Sequence, residues 1–390
     1  MSDGRPANRS YALDGVAYAA IFVFGIVMAL VGAVMPVLTG RVALDLGDIG
    51  TVFLVTNASM LVAAMLTGPA IDRFDLKPPL TIGGALVAVA LVAIARASSL
   101  AGLLPAVALL GFGGGGLNVG ANTLIADLHD DPGGKASALN LLGVFFGFGA
   151  LLMPFAIGAL LSRAGLGGLL AGGAVLAAVA AAVAAAPRFP APKQAHGVPF
   201  SAMRRFAAMP LVLAFAFLLF FTSGNEFVLG GYVSTFMAQD MAVSVSSASY
   251  LLAAYWGAVM VARVFLSRLL LHVGASRTVF ASALVAAAGV LIVAAAPTVP
   301  LAVAGVLVTA LAVAGIFPTV LGMAGAAFRD HSGTVFGILF TVSLSGGMLM
   351  PWIAGHLAEA AGLRTVFLLV AANFIAIAIL NGVARRLGAA

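Results

Sequence analysis

The amino-acid sequence predicts an all-α membrane protein with twelve transmembrane helices, arranged as two pseudo-symmetric six-helix bundles. Three observations support this prediction. The chain of 390 residues is 63% hydrophobic and 8% charged, whereas a soluble domain carries about 25% charged residues. Twelve apolar runs are each long enough to cross about 30 Å of hydrocarbon as a helix. One segment also recurs about half a chain further on.

The recurring segment covers residues 149–160 and 346–357, which lie 197 positions apart. The first copy reads GALLMPFAIGAL and the second GGMLMPWIAGHL, so six of twelve positions are identical. Both copies lie in long apolar runs. Two copies of one helical unit are typical of secondary transporters, whose binding sites lie where the repeats meet.

The predicted spans divide the chain into two halves. They cover residues 16–38, 49–71, 80–97, 101–128, 136–162, 166–186, 209–237, 246–271, 278–296, 301–328, 333–358 and 366–384. The widest gap, 187–208, contains proline, glycine and basic residues, and it is interpreted as a cytoplasmic linker between bundles 1–186 and 209–390. A longer loop is the alternative. The first apolar run is too long for the core of a cleavable signal peptide.

The distribution of basic residues predicts the orientation of the chain. The formal net charge is +6, but the basic residues stand singly in short loops, so a nucleic-acid partner is not expected. With a cytoplasmic N-terminus, fifteen of the nineteen lysines and arginines fall inside, in agreement with the positive-inside rule. The exceptions are Arg41, Arg96, Arg163 and Arg364. We therefore expect a multi-pass protein of the cytoplasmic (inner) membrane with both termini in the cytoplasm.

Glu226 is the only carboxylate predicted deep within a span, the seventh. A charge at that depth costs about 2.5–3.5 kcal/mol on insertion scales. Because withdrawal from water favours the neutral carboxyl group, such a residue can load and release a proton. We predict that Glu226 couples transport to protons. The alternative is a structural acid paired with a basic residue or the backbone, and Arg263 in span 8 is expected either to reach the cytoplasm or to pair within the bundle.

Two pairs of polar residues are candidate substrate ligands. Asn225 and Tyr232 are seven residues apart and share one face of span 7. Asn118 and Asn122 are four apart in span 4, and an amide pair both donates and accepts, which suits vicinal hydroxyl groups. The alternative for Asn118 and Asn122 is hydrogen bonding between helices, which Asn commonly provides in membranes.

Aromatic residues and glycines complete the predicted substrate site. Trp256 and Trp352 fall inside spans 8 and 11, away from the interfaces that tryptophan prefers. Either could stack on the apolar face of a sugar, or it could be lipid-facing bulk. Gly224, Gly230 and Gly231 would let span 7 bend, or would serve close helix packing.

The turn after span 2 resembles a known signature. It contains Gly68, Asp72, Arg73 and Lys77 in the order Gly-x-x-x-Asp-Arg followed by a basic residue, which is similar to the cytoplasmic motif of the major facilitator superfamily. The resemblance implies the major facilitator fold, transport of a small molecule by a chain that commonly works as a monomer, and a role for these residues in closing the cytoplasmic gate. The alternative is a membrane-edge charge pair that only fixes orientation.

Within that superfamily, two regions resemble the fucose-permease branch. They are the span 4 segment around Asn118 and Asn122, and the run 316–351 with Pro318 and Pro351. The branch is typified by proton-coupled uptake of monosaccharides, so the resemblance implies a sugar symporter. Its members tend to carry an acidic residue where this chain has Asn118, which leaves Glu226 as the expected proton carrier.

Other functions are less well supported. The chain has no cysteine and no pattern of nucleophile, base and metal ligands, so we expect neither an enzyme nor a cofactor nor a metal site. A proton-driven exporter of drugs or amphipathic metabolites is the alternative function, since Gly147, Gly149, Pro154 and Gly158 partly resemble the antiporter signature of span 5. A membrane receptor without transport activity is a third class.

Overall fold

The computed structural model describes residues 7–129, 132–189, 205–328 and 332–388. Within these ranges the regular structure is α-helical and no strand occurs. The chain separates into two compact units, each described below by itself. Unit 1 comprises Met1–Ala43 and Val55–Ala195, and unit 2 comprises Leu44–Leu54 and His196–Ala390. Residues 190–204 of the predicted linker lie outside the described residues, so the boundaries at 186 and 209 stay a prediction.

Unit 1 contains the first six helices. They are α1 (Ala7–Val42), α2 (Leu46–Phe74), whose N-terminal end is grouped with unit 2, α3 (Lys77–Arg96), α4 (Leu100–Leu128) and one long element, Pro132–Ala185. The long element breaks at Gly165, where φ is 63° and ψ is 168°, a conformation that favours glycine. We label its two arms α5 (132–164) and α6 (166–185).

Unit 2 contains the remaining helices. They are α7 (Pro210–Gln239), α8 (Val245–Val273), α9 (Ala275–Ala295), α10 in two pieces (Val299–Val313 and Ile316–Ala327), α11 (Ser332–Ala361) and α12 (Arg364–Arg386). The predicted span 301–328 corresponds to one candidate membrane span, Val299–Ala327, in which the helix is interrupted at Ala314 and Gly315.

The helices match the predicted membrane class. Among the described residues, eleven are long and apolar enough to cross a membrane. One of these, Leu141–Ala185, has 45 residues, about twice the length that a bilayer requires. Since it covers most of predicted spans 5 and 6, with Gly165 between them, the twelve-helix prediction is confirmed.

The sequence repeat corresponds to a repeated contact between helices. A Cβ atom at Gly149 of α5 would collide with the carbonyl oxygen of Phe22 in α1, and one at Gly346 of α11 with that of Phe220 in α7. These glycines let the two backbones approach closely, as small residues do in membrane bundles. The pairs α1 with α5 and α7 with α11 therefore pack in the same way in their respective units.

A second contact is repeated at α3 with α4 and at α9 with α10. A Cβ atom at Gly83 would lie 2.9 Å from the carbonyl oxygen of Gly113, and one at Gly289 would lie 3.0 Å from that of Gly305. This similarity extends the repeat beyond the stretch that is visible in the sequence. The amino-acid identities around these glycines differ between the halves, but the backbone contact is the same.

Arginines from other helices cap the C-terminal ends of α3 and α9. Arg41 donates to three carbonyl oxygens at 2.8–3.0 Å, and Arg364 donates to two at 2.9–3.0 Å. The accepting residues are Ile94, Ala95, Ala97, Ala294 and Ala296. Carbonyls at helix ends lack partners within the helix and favour cations. This role accounts for two of the four arginines that depart from the positive-inside pattern.

Candidate functional site

Glu226 and Arg263 form an ion pair in unit 2. Glu226 lies near the middle of α7, and its Oε1 is 4.0 Å from Nη2 of Arg263 in α8. The side chains are 21% and 37% exposed, respectively. Of the alternatives considered for Arg263, the structure therefore shows pairing within the bundle. The distance exceeds the 2.7–2.9 Å of a charge-assisted hydrogen bond, so the two groups form an ion pair without a direct hydrogen bond.

The break in α10 supplies a second partner for Arg263. Its Nε donates to the carbonyl oxygen of Ala314 at 3.3 Å. Pro318 lies four residues after Ala314, and a proline both lacks the N–H that would bond that carbonyl and clashes with it. The carbonyl is therefore available to a side chain, and Arg263 uses it.

Tyr255 belongs to the same cluster. It is fully buried in α8, and its hydroxyl makes no hydrogen bond to another residue in the described part of the chain. Tyr255 interacts electrostatically with both Glu226 and Arg263. Its ring packs edge-on against Trp256 with centroids 5.4 Å apart. The cluster thus contains a carboxylate, a guanidinium, the backbone carbonyl of Ala314 that the guanidinium bonds, and a hydroxyl without a hydrogen-bond partner among the described residues.

Asn225 packs against α12. Its Oδ1 accepts a hydrogen bond from Asn373 Nδ2 at 2.9 Å, and its own Nδ2 donates to the carbonyl oxygen of Val370 at 3.4 Å. Asn225 is completely buried. These bonds join α7 to α12, and they do not test the predicted role of Asn225 as a substrate ligand.

The aromatic candidates have different surroundings. The Tyr232 hydroxyl donates to the carbonyl oxygen of Pro351 at 3.0 Å, and its ring stacks on Phe53. Trp256 is 4% exposed. Trp352 is 37% exposed, and its ring lies 4.5 Å from that of His356. Only Trp352 of these candidates presents much of its ring outside the protein interior.

The glycines of α7 serve packing. A Cβ atom at Gly231 would lie 2.5 Å from the Phe53 ring, one at Gly230 3.3 Å from Trp256, and one at Gly224 2.5 Å from Met350. The helix α7 is unbroken through all three. The bend that was considered for span 7 is found instead in α10.

The amide pair of unit 1 has the predicted geometry. Asn122 Nδ2 donates to the Oδ1 of Asn118 at 3.0 Å and to its carbonyl oxygen at 2.9 Å. Asn118 is half-buried and Asn122 is exposed. The two side chains therefore share one face of α4 and retain capacity for further hydrogen bonds.

The predicted gate residues are described in part. The side chain of Asp72 lies outside the described residues. Arg73 is exposed and its guanidinium lies 5.2 Å from the centre of the Phe74 ring. The backbone N–H of Lys77 bonds to a carboxylate oxygen of Asp75 at 2.5 Å, and a side chain at Gly68 would meet open space. None of these contacts tests a gating role.

Three groups were not among the predicted site residues: Tyr255 and the Ala314 carbonyl of the cluster, and Asn373, which bonds to Asn225. Pro318 was the available signal, because a proline inside a span frees the carbonyl four residues before it.

A separate cleft of about 150 Å³ in unit 1 is lined mainly by apolar groups such as Leu66, Pro79 and Phe112, so it does not suit a polar solute. No group of three potential metal ligands occurs among the described residues.

Comparisons with known proteins agree with this architecture. A family model described as Major Facilitator Superfamily matches residues 17–224 and 215–387. A twelve-helix chain of this kind is a membrane transporter. The protein belongs to the Major Facilitator Superfamily, which its cytoplasmic motif had suggested. No curated protein sequence matches the chain significantly.

Solved structures of transporters share the fold. A bacterial homolog of the human lysosomal transporter Spinster has a TM-score of 0.79 at 17% identity, covering 98% of both chains. The nucleoside transporter NupG has a TM-score of 0.75 at 16% identity, covering 97% of this chain and 99% of its own. A D-xylose-proton symporter has a TM-score of 0.81 at 14% identity, covering 96% and 97%. At these identities the likeness shows the fold alone.

Proposed function

We propose that this transporter moves a small polar solute, a monosaccharide, across the cytoplasmic membrane by alternating access, and that Glu226 couples the movement to protons. The observation that carries the proposal is the partly exposed Glu226 side chain in the middle of α7, 4.0 Å from Arg263. Intramembrane carboxylates of this kind are typical of proton relays.

The geometry of the pair suits reversible protonation. Burying two charges is costly, and the cost is offset only when the groups bond closely. Here the carboxylate and the guanidinium are separated beyond close hydrogen-bonding distance. A proton can therefore replace Arg263 as the partner of Glu226 without the loss of a tight bidentate bond.

Three further observations support a sugar as the solute. The Asn118 and Asn122 amides lie together on α4 and are not fully buried, so they can donate to and accept from neighbouring hydroxyls. The segments that resemble the fucose-permease branch include this pair. One of the structures with the same fold is a D-xylose-proton symporter.

Transport by purified protein in proteoliposomes tests the proposal. We expect an imposed pH gradient to drive accumulation of a labelled monosaccharide by the wild type. Glu226→Gln should abolish that accumulation but leave counterflow exchange partly intact, since exchange needs no net proton movement. Glu359→Gln, which changes the only other glutamate of the chain, is the matched control and should accumulate normally. Unaltered accumulation by Glu226→Gln would remove Glu226 from the coupling role.

A thermal-shift screen separates this function from the alternative exporter. Sugars and sugar derivatives should stabilise the purified protein, whereas lipophilic cations should not. The opposite result, together with increased drug tolerance of cells that express the protein, would support export of amphipathic compounds. We also propose a monomer in the inner membrane with both termini in the cytoplasm.

A further inference from the structure

We propose that the solute is a sugar acid, whose carboxylate takes the place of Glu226 on Arg263 while Glu226 takes up one proton. The inference deepens the proposed function and rests on it, because Glu226 remains the proton carrier. A carboxylate on the sugar gives the solute a negative charge. The polar residues of α4 do not distinguish a charged sugar from a neutral one.

The guanidinium of Arg263 has unused bonding capacity. Its Nε is bonded to Ala314, its Nη2 lies 4.0 Å from Glu226, and its Nη1 makes no hydrogen bond to another described residue. Arginine binds a carboxylate most strongly through two parallel N–H bonds. The two terminal nitrogens are therefore open to a bidentate carboxylate that Glu226 does not provide.

Both charged groups are accessible. Arg263 is 37% exposed and Glu226 is 21% exposed, although each lies within a membrane-crossing helix. Charged side chains at such depth face the bundle interior or a water-filled cavity rather than lipid. The exposed part of the Arg263 guanidinium is therefore open to an anion other than Glu226.

Charge balance links the solute to the proton. A site within the membrane is most stable when its net charge is zero. With Arg263 positive, two states meet that condition: an ionised Glu226 without solute, and a protonated Glu226 with a monoanionic solute. A neutral sugar bound beside a protonated Glu226 would leave one uncompensated positive charge. The cluster therefore favours a monocarboxylate that enters together with one proton.

The neighbouring groups fit this exchange. Tyr255 is the other titratable group of the cluster, and its buried hydroxyl has no partner among the described residues. The Ala314 carbonyl holds Nε in both states, so Arg263 keeps its orientation when Glu226 is protonated.

Uptake by proteoliposomes tests the substrate class. We expect D-glucuronate and D-galacturonate to accumulate in response to a pH gradient, and D-glucose and D-galactose to be taken up at least about tenfold less well, since one charged hydrogen bond contributes at least that factor. Because one proton balances one anion, uronate uptake should be equal under potassium diffusion potentials of either sign.

Binding measurements on variants assign the contact. Arg263→Gln should weaken uronate binding at least about tenfold. Glu226→Gln, which mimics the protonated acid and removes the competing carboxylate, should bind uronate at least as tightly as the wild type and without the wild type's dependence on pH. The double variant Glu226→Gln/Arg263→Gln removes both charges, and it reports the loss of the contact if the single arginine variant does not fold. Arg277→Gln, an exposed arginine at the start of α9, is the control.

Different outcomes overturn different statements. Uronate binding that survives in both arginine variants would overturn the inference. So would pH-driven accumulation of neutral hexoses without accumulation of uronates. That uptake result would leave the proposed function standing. Uptake of neither neutral nor acidic monosaccharides would remove the proposed function and the inference together.

Discussion

Arg263 donates a hydrogen bond from Nε to the carbonyl oxygen of Ala314, across 3.3 Å, at the point where α10 is interrupted. The carbonyl is free because Pro318 cannot supply the N–H that would bond it. The same guanidinium faces Glu226. Arg263 therefore contacts both the interrupted backbone of α10 and the intramembrane carboxylate of α7.

Restoring the helix at the break should separate Arg263 from α10. In Pro318→Ala the new N–H can bond the Ala314 carbonyl, and relief of the proline cost, up to about 3 kcal/mol, should raise the thermal midpoint. Because Arg263 then loses its acceptor, initial uptake rates should fall. The control is Pro300→Ala in the first turn of α10, where proline is tolerated. Wild-type uptake by Pro318→Ala would show that the break has no part in transport.

The repeated glycine contact should be sensitive to a single methyl group. Gly149→Ala and Gly346→Ala would each place a Cβ atom against a backbone carbonyl, and overpacking of this kind costs about 1–3 kcal/mol. Gly143→Ala and Gly337→Ala, in the same two helices, meet open space and should be neutral or stabilise by up to about 1 kcal/mol. Thermal unfolding in detergent measures the difference. Equal midpoints for all four variants would contradict the contact.

The arginine cap of α9 should contribute to stability. Arg364→Gln removes the donors to the carbonyls of Ala294 and Ala296 and the bond to Asp240. Because the Arg364 side chain is 41% exposed, we expect a loss of about 1 kcal/mol rather than the larger values of buried charged bonds. Arg163→Gln, at an exposed position, should leave the unfolding midpoint unchanged. A loss of equal size in both variants would argue against a specific cap.

The orientation can be measured directly because the wild-type chain has no cysteine. Ser98→Cys, between α3 and α4, and Leu387→Cys, after α12, are both exposed positions. With both termini in the cytoplasm, a membrane-impermeant maleimide should label the first in intact cells and the second only after permeabilisation. The wild type is the unlabelled control, and the reverse pattern would invert the proposed topology.

The extent to which the site was predictable differs between residues. Glu226 was identifiable because an acid inside an apolar run is costly wherever its partner lies. The Asn118 and Asn122 contact followed from their spacing of four residues, which places both on one helix face. The bond from Asn373 to Asn225 joins residues 148 positions apart, and no local pattern pairs them. Tyr255 was not among the predicted site residues, because its interaction with Glu226 depends on the packing of α7 against α8.

The sequence by itself determined that this chain crosses the membrane twelve times in two like-built halves. The reason is that the fixed thickness of the bilayer sets the length of apolar helix that spans it. It also identified the acid on which the proposed coupling depends. Only the tertiary structure decided that Arg263 pairs with Glu226, that the Ala314 carbonyl holds Arg263, and that Asn225 bonds to α12. These contacts arise from the packing of helices distant in sequence, which the periodicity of a single helix does not specify.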